Sequence, residues 1–136
     1  MTLRMDRIDS FHADGPRAAR ILIAEDHPDS REALSALLES FGFQVVRAVD
    51  GRQAVELARA SEPDLILMDI MMPNLDGFEA TRRIRAFPET RSIPIITLTA
   101  MDGARALALD AGANDFLPKP VNSRTLLDKV NDWLQR

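Results

Sequence analysis

The stretch Leu65-Ile66-Leu67-Met68-Asp69-Ile70-Met71-Met72-Pro73 decides the fold. Four apolar residues stand directly before Asp69, and Pro63 precedes them, which predicts a short strand that is buried on both faces. A carboxylate at the carboxyl end of such a strand occupies the place where open α/β sheets bind their ligands. Asp69 is equally compatible with a loop, although Asp76 is better placed to cap the helix that follows. The choice depends on the rest of the chain.

Strands and helices alternate along the chain from residue 20 onward. Apolar runs predict strands over residues 21–24, 44–49, 65–69, 93–99 and 116–117. Apolar residues at helical spacing follow each of these runs, which predicts five helices. We therefore expect right-handed βαβ units and an α/β fold with a parallel sheet covered on both faces. The first, third and fourth strands suit the centre of the sheet, and the valine-rich second strand suits an edge.

Capping residues mark the ends of the predicted helices. Asp29 or Ser30 is expected to cap the first helix, whose apolar stripe runs as far as Phe41, and Gly42 is expected to end it. Ser123 is expected to cap the last helix.

Length and composition exclude several classes of protein. The 136 residues are enough for one domain, which we place at residues 20–136, after a flexible N-terminal extension over residues 1–19 that Asp14-Gly15-Pro16 interrupts. The formal net charge of −4 argues against direct nucleic-acid binding, and the absence of cysteine excludes disulfides and thiolate metal sites. The sequence shows no membrane span and no signal-peptide pattern, so we expect a cytoplasmic protein without membrane partners.

The residues at the predicted strand ends form one set. Because the carboxyl ends of parallel strands lie at the same edge of a sheet, five side chains are expected to converge there: Glu25, Asp26, Asp69, Thr99 and Lys119. Any one of them could be an ordinary loop residue, but the coincidence of all five at strand ends favours a site. Only two of the 17 basic residues are lysines, which indicates that position 119 has a specific use for the compact ammonium group of lysine.

Several kinds of chemistry fit this set. Neighbouring carboxylates raise one another's pKa unless a cation shares the site, and oxygen ligands favour Mg²⁺. We interpret His27 as a loop residue rather than a ligand, since neither it nor His12 has a partner at ligand spacing. Lys119 could simply neutralise the acids, or it could bind a phosphoryl group together with Thr99. A strand-end aspartate beside Mg²⁺ can also act as a nucleophile toward phosphorus, and only this interpretation uses all five residues.

Four separately spaced segments carry a resemblance to a known family. They are residues 21–26, residues 64–73 with Asp76-Gly77, residues 95–100 and residues 112–120. The chain from about residue 20 to its end resembles the receiver domain of bacterial two-component response regulators, in the single-domain form seen in chemotaxis receivers. The resemblance implies a flavodoxin-like, doubly wound five-stranded parallel sheet of order 2-1-3-4-5 with five helices.

The resemblance also implies a role for each acidic residue. Asp69 would be the phosphoacceptor, with a sensor histidine kinase or a histidine phosphotransfer protein as the phosphodonor. Asp26 would bind Mg²⁺ directly, together with Asp69 and the backbone carbonyl of Met71, and Glu25 would act mostly through water. The acidic pair is Glu-Asp rather than Asp-Asp, which is a common variant.

The phosphoryl oxygens and the switch depend on a second group of residues. By the resemblance, Thr99, Lys119 and the backbone amide of Ala100 would hold the phosphoryl oxygens. Thr99 and Phe116 would form the switch, in which the hydroxyl moves toward the phosphoryl group and the ring turns inward. Lys119-Pro120 is a candidate cis peptide. The switch would act on an unidentified downstream protein.

Two features qualify the resemblance. The segment from Thr99 to Lys119 is shorter than in most receivers, which affects the fourth helix, the fifth strand and the fifth helix, where such domains form homodimers or meet partners. Met71 and Met101 stand at the positions that, by the resemblance, flank the path of attacking water, so we expect slow hydrolysis of the phosphoryl group.

Two other functions compete with this interpretation. One is a Mg²⁺-dependent phosphohydrolase with an aspartate nucleophile, in which a second aspartate two residues later acts as general acid; here that position is Met71. The other is an interaction module on the receiver fold that works without phosphorylation, although such modules usually lose part of the acidic pair, the acceptor or the lysine. We therefore expect a signalling protein whose chemistry is limited to its own phosphorylation and dephosphorylation, and not an enzyme.

Overall fold

A single parallel sheet forms the centre of the molecule, whose computed structural model describes residues 18–136. All four strand pairings are parallel, and the order is β2-β1-β3-β4-β5, which confirms the predicted order. The predicted edge position of the second strand is confirmed as well. The strands are β1 (Arg20–Ala24), β2 (Gln44–Ala48), β3 (Leu65–Asp69), β4 (Ile95–Thr99) and β5 (Asp115–Pro118).

Within the described part of the chain, five helices cover the two faces of the sheet. They are α1 (Pro28–Ser40), α2 (Gly51–Ser61), α3 (Gly77–Ala86), α4 (Ala104–Ala111) and α5 (Ser123–Leu134). On one face, Leu38 of α1 and Leu126 of α5 pack against the sheet in one apolar cluster. On the other face, Ala54 of α2, Ala80 of α3 and Ala108 of α4 belong to a second cluster. The sheet is therefore doubly wound, as the alternating pattern predicts.

The strand β3 lies at the centre of the core. All five of its residues are buried, and its side chains alternate between the two clusters. Ile66 pairs with Leu22 of β1 on one side and with Ile95 of β4 on the other. Each fully buried leucine or isoleucine contributes about 1.5–3 kcal/mol. This burial fixes the position of Asp69, the last residue of the strand.

Two predicted helix caps are wrong. The N-cap of α1 is His27 rather than Asp29 or Ser30, because Pro28 occupies the first helical position, where its missing N–H costs nothing. The N-cap of α5 is Asn122 rather than Ser123, since the side-chain oxygen Asn122 Oδ1 accepts hydrogen bonds from the backbone N–H and the hydroxyl of Thr125.

The end of α1 also differs from the prediction. Phe41 was expected on the buried stripe, but its side chain is 61% exposed because the chain has already left helical geometry at this residue. The buried residues of α1 are Ser35 and Leu38. Gly42 follows with a φ of 91°, a left-handed conformation that favours glycine and ends the helix as predicted.

The predicted N-terminal extension lies almost wholly outside the described residues. Its last residue, Ala19, is buried, and its carbonyl oxygen accepts a hydrogen bond from the Gln44 amide. Of the helices between residues 18 and 136, none combines the length and the apolar character needed to cross a membrane.

Candidate functional site

The carboxyl edge of the sheet brings the predicted site residues together. Glu25 and Asp26 follow β1, Asp69 ends β3, Thr99 ends β4, and Lys119 follows β5. The Lys119 ammonium lies 2.6 Å from Glu25 Oε1 and 3.4 Å from Asp69 Oδ2. Residues that are 94 positions apart in the sequence are thus in direct contact. The ammonium group of Lys119 joins the ends of β1, β3 and β5 at one point.

Burial and neighbouring charges shift the pKa values of the three groups that meet at this point. Burial raises the pKa of Asp69, and the negative charge of Glu25 raises it further, while Lys119 opposes both effects. Burial also acts to raise the pKa of Glu25, but the hydrogen bonds from Lys119 and from the His27 amide outweigh it and lower that pKa. Burial acts to lower the pKa of Lys119, yet its hydrogen bond to Glu25 and the charge of Asp69 raise it overall. Lys119 therefore stays protonated, with Glu25 as its main counterion.

The net charge of the cluster suits a divalent cation. When Glu25, Asp26 and Asp69 are ionised, the ammonium of Lys119 leaves two negative charges uncompensated. The donor atoms of Glu25 and Asp26 lie within 4.8 Å of each other and of an imidazole nitrogen of His27. Carboxylate oxygens are the ligands that Mg²⁺ prefers, so the donor set of this edge fits that ion.

A glycine after β3 holds Asp69 in place. Asp69 Oδ1 accepts a hydrogen bond from the Ile70 amide at 2.8 Å, and the Gly77 amide donates to the Ile70 carbonyl at 2.9 Å. A Cβ atom at Gly77 would lie only 2.1 Å from the Asp69 carbonyl oxygen. The first residue of α3 must therefore be glycine for the helix to begin this close to the strand.

An arginine of α1 fixes the backbone of the acidic pair. Arg31 Nη1 donates to the carbonyl oxygens of Glu25 at 3.0 Å and of Asp26 at 3.3 Å. The His27 amide donates to Glu25 Oε2 at 3.1 Å. Arg31 was not predicted as a site residue, because its guanidinium contacts the backbone carbonyls of the two acids rather than their side chains, and such contacts have no sequence pattern.

The predicted phosphate-binding and switch residues lie in or directly after β4 and β5. Thr99 is buried, and its hydroxyl accepts a hydrogen bond from the Met101 amide at 3.1 Å. The Lys119 amide donates to the Thr99 carbonyl at 2.9 Å, and the Lys119-Pro120 peptide is cis, as expected. Phe116 of β5 is half-buried and pairs in register with Thr97.

The remaining predicted site residues lie at the rim of this edge. Ala100 follows Thr99 at the surface. Met71 lies two residues after Asp69, and it is 63% exposed.

Known proteins share this architecture and much of this sequence. The family model for the response regulator receiver domain matches residues 21–131. Protein PilH of Pseudomonas aeruginosa is 45% identical over 115 residues, which make up 83% of this chain and 95% of PilH. Response regulator PleD of Caulobacter vibrioides is 40% identical over 115 residues, which are 83% of this chain but only 25% of PleD.

Solved structures agree with these relatives. The receiver domain of sensor histidine kinase PA1611 from Pseudomonas aeruginosa, with a magnesium ion coordinated in its active site cleft, is 41% identical, with a TM-score of 0.83 over 88% of this chain and 100% of that chain. Chemotaxis protein CheY4 of Vibrio cholerae is 30% identical, with a TM-score of 0.80 over 85% of this chain and 98% of that chain. The chain therefore belongs to the response regulator receiver domain family, which consists of signalling modules rather than classical enzymes.

Proposed function

We propose that this receiver domain accepts a phosphoryl group on Asp69 in the presence of Mg²⁺ and then changes the surface that binds its partner. The phosphodonor would be a phosphohistidine of a sensor histidine kinase or of a histidine phosphotransfer protein, in the cytoplasm. The observation that carries the proposal is the position of Lys119, whose ammonium lies 2.6 Å from Glu25 and 3.4 Å from Asp69.

The phosphoryl transfer is a direct displacement. A carboxylate oxygen of Asp69 attacks phosphorus, the P–N bond of the phosphohistidine breaks, and the imidazole nitrogen keeps the bonding electron pair. Thr99, Lys119 and the Ala100 amide would bind the phosphoryl oxygens. Asp26, Asp69 and the Met71 carbonyl would hold Mg²⁺, with Glu25 acting through water. The ion would neutralise the negative charge that the carboxylates and the phosphoryl group bring together.

The proposed switch begins at Thr99. In the described conformation its hydroxyl accepts a hydrogen bond from the Met101 amide, just before α4. A hydroxyl that turns to donate to a phosphoryl oxygen gains a contact that exists only in the phosphorylated state, which shifts the population toward that state. Phe116, which is half-buried, would turn inward behind it. The exposed Leu107 and Leu109 place apolar surface on α4, where a downstream protein or a second copy would bind.

This domain offers a docking surface for the phosphodonor beside the site. A groove of about 330 Å³ opens next to Glu25 and Lys119, between α1 and the start of α5. Its walls are mainly apolar and include Leu34, Leu37 and Leu126. A helix that carries the donor histidine could pack its apolar side in this groove and present the phosphohistidine to Asp69.

Intact mass measurement tests the proposal. The purified protein is incubated with Mg²⁺ and the small phosphodonor acetyl phosphate, beside Asp69→Asn and the control Asp110→Asn on the exposed surface of α4. We expect one added phosphoryl group on the wild type and on Asp110→Asn, dependent on Mg²⁺, and none on Asp69→Asn. A folded wild type that binds Mg²⁺ but forms no adduct would favour an interaction module that works without phosphorylation.

A further inference from the structure

We propose that His27 supplies an imidazole ligand beside Glu25 and Asp26, so that this edge of the sheet binds a divalent transition-metal ion such as Zn²⁺ in competition with Mg²⁺. The inference uses the same carboxylates as the proposed function and does not otherwise depend on it. It revises the interpretation of His27 as an ordinary loop residue.

The three donor atoms already lie close to one another. A carboxylate oxygen of Glu25, one of Asp26 and an imidazole nitrogen of His27 are all within 4.8 Å of each other. Ligands that share one zinc ion lie about 3–3.6 Å apart, which a small rotation of the exposed His27 side chain would reach. Exposure increases from Glu25, which is buried, through Asp26 to His27, so a cation can enter from solvent. The 41% identical receiver domain of PA1611 has a magnesium ion coordinated in its active site cleft.

The imidazole of His27 makes no hydrogen bond and no ion pair among residues 18–136. His27 is the N-cap of α1, but its side chain makes no capping hydrogen bond. No described residue forms a hydrogen bond or an ion pair with its ring. Its backbone, in contrast, is held firmly, because its amide donates to Glu25 Oε2 and its carbonyl accepts from the Arg31 amide. The ring is therefore held near the carboxylates and remains free to bind a metal.

The nitrogen ligand changes which ion the site prefers. Mg²⁺ binds oxygen ligands and gains little from an imidazole, whereas Zn²⁺, Ni²⁺ and Cu²⁺ bind imidazole well and bind mixed nitrogen and oxygen sites more tightly than lighter metals do. The two uncompensated negative charges of the cluster suit any of these divalent ions. Lys119 competes for Glu25, so Asp26 and His27 would be the main protein ligands.

Nuclear magnetic resonance of the two histidine rings tests the inference without a phosphodonor. The full chain, labelled with nitrogen-15, is titrated with Zn²⁺ and separately with Mg²⁺. We expect Zn²⁺ to shift the ring nitrogen signals of His27 and to leave those of His12 in place. Mg²⁺ should shift the backbone amide signals near Asp26 and Asp69 and leave both rings unchanged.

Two variants provide the affinity test. His27→Asn keeps a good N-cap residue, so the fold should be retained, and His12→Asn removes the other imidazole as a control. We expect His27→Asn to weaken Zn²⁺ binding at least about tenfold and Mg²⁺ binding less than about twofold. Equal Zn²⁺ affinity in wild type and His27→Asn, or Zn²⁺ binding at His12 instead, would overturn the inference. Failure of Mg²⁺ to bind the wild type would count against the proposed function and not against the imidazole site.

Discussion

Lys119 and Glu25 form the shortest ion pair of the site, with 2.6 Å between Nζ and Oε1, although 94 residues separate them in the chain. The Glu25 side chain is 2% exposed and that of Lys119 is 25% exposed, so the pair is largely shielded from water. Because Asp69 Oδ2 lies 3.4 Å from the same ammonium, the acceptor carboxylate of the proposed function is held through this pair. A change at Lys119 should therefore affect both the stability of the domain and the chemistry of Asp69.

Removal of the ammonium group should destabilise the protein in a way that Mg²⁺ partly reverses. In Lys119→Met the buried Glu25 loses its counterion, and we expect the free energy of unfolding to fall by about 1–3 kcal/mol. Added Mg²⁺ should restore part of this loss, because a dication beside the same carboxylates replaces the ammonium.

The control for this prediction is the other lysine. Lys129 pairs with Asp115 at 3.1 Å, far from the carboxyl edge, so Lys129→Met should lose stability that Mg²⁺ does not preferentially restore. Urea unfolding with and without Mg²⁺ measures both variants. An equal response of the two variants to Mg²⁺ would contradict the account.

A buried hydroxyl in β4 should be dispensable for stability. The Thr97 hydroxyl has no hydrogen-bond partner among the described residues, although the residue is only 1% exposed. We expect Thr97→Val to stabilise the protein by about 1 kcal/mol, since it removes an unsatisfied polar group. Thr81 is the matched control, because it is equally buried but donates to the Gly77 carbonyl at 2.8 Å. Thr81→Val should destabilise the protein, and the same sign for both variants in urea unfolding would refute the prediction.

The start of β5 should make stability depend on pH. Burial acts to raise the pKa of Asp115, but hydrogen bonds from the Trp133 indole, the Phe116 amide and Lys129 outweigh it and lower the pKa below its ordinary value of 3.8. Because the pKa is lower in the folded state, this carboxylate stabilises the fold above about pH 4, and the stabilisation is lost as the pH falls through the folded-state pKa.

Trp133, the only tryptophan, reports on this prediction directly. Unfolding followed by its fluorescence should show the wild type to be more stable than Asp115→Asn at pH 7. The difference should shrink steadily as the pH is lowered below about 4. A difference that stays constant between pH 7 and pH 2 would show that the charge of Asp115 contributes nothing.

Two exposed methionines should prolong the phosphorylated state. Met71 follows Asp69 by two residues and is 63% exposed, and Met101 follows Thr99 by two residues and is 37% exposed. Their apolar side chains should hinder the approach of water to the phosphoryl group. We expect slow loss of phosphate from the purified protein and faster loss from Met71→Ala, both followed by intact mass. Rapid loss from the wild type without any phosphatase would show the prediction to be wrong.

The central and edge positions of the strands and the positions of the acidic residues were predictable from the sequence pattern, whereas the full strand order came from the resemblance to receiver domains. Uninterrupted apolar runs such as Leu65-Ile66-Leu67-Met68 carry the information on central strands, and the residue after each run lies at the carboxyl edge by geometry alone. Local hydrogen bonds determine which residue caps a helix. Asn122 rather than Ser123 is the N-cap of α5 because its side chain accepts the hydrogen bond from the Thr125 amide. A sequence pattern does not contain that information.

Contacts between distant residues were beyond sequence reasoning. The predicted fourth strand began at residue 93, but the Ile93 carbonyl accepts a hydrogen bond from Arg85 and its amide donates to the Thr90 carbonyl, so the strand begins at Ile95. Arg85 also donates to the Gly112 carbonyl and to Asn114 Oδ1, which joins the end of α3 to the end of α4. A half-buried guanidinium that binds neutral acceptors has no signature in a sequence.

The identity of the phosphorylated residue is the central claim, and chemical trapping tests it most directly. The protein is incubated with Mg²⁺ and acetyl phosphate, the acyl phosphate is reduced with borohydride, and the peptides are analysed by mass spectrometry. The account predicts that Asp69 is converted to homoserine and that no other carboxylate is. Conversion of Glu25 or Asp26 instead, or an added phosphoryl group that borohydride does not reduce, would contradict it.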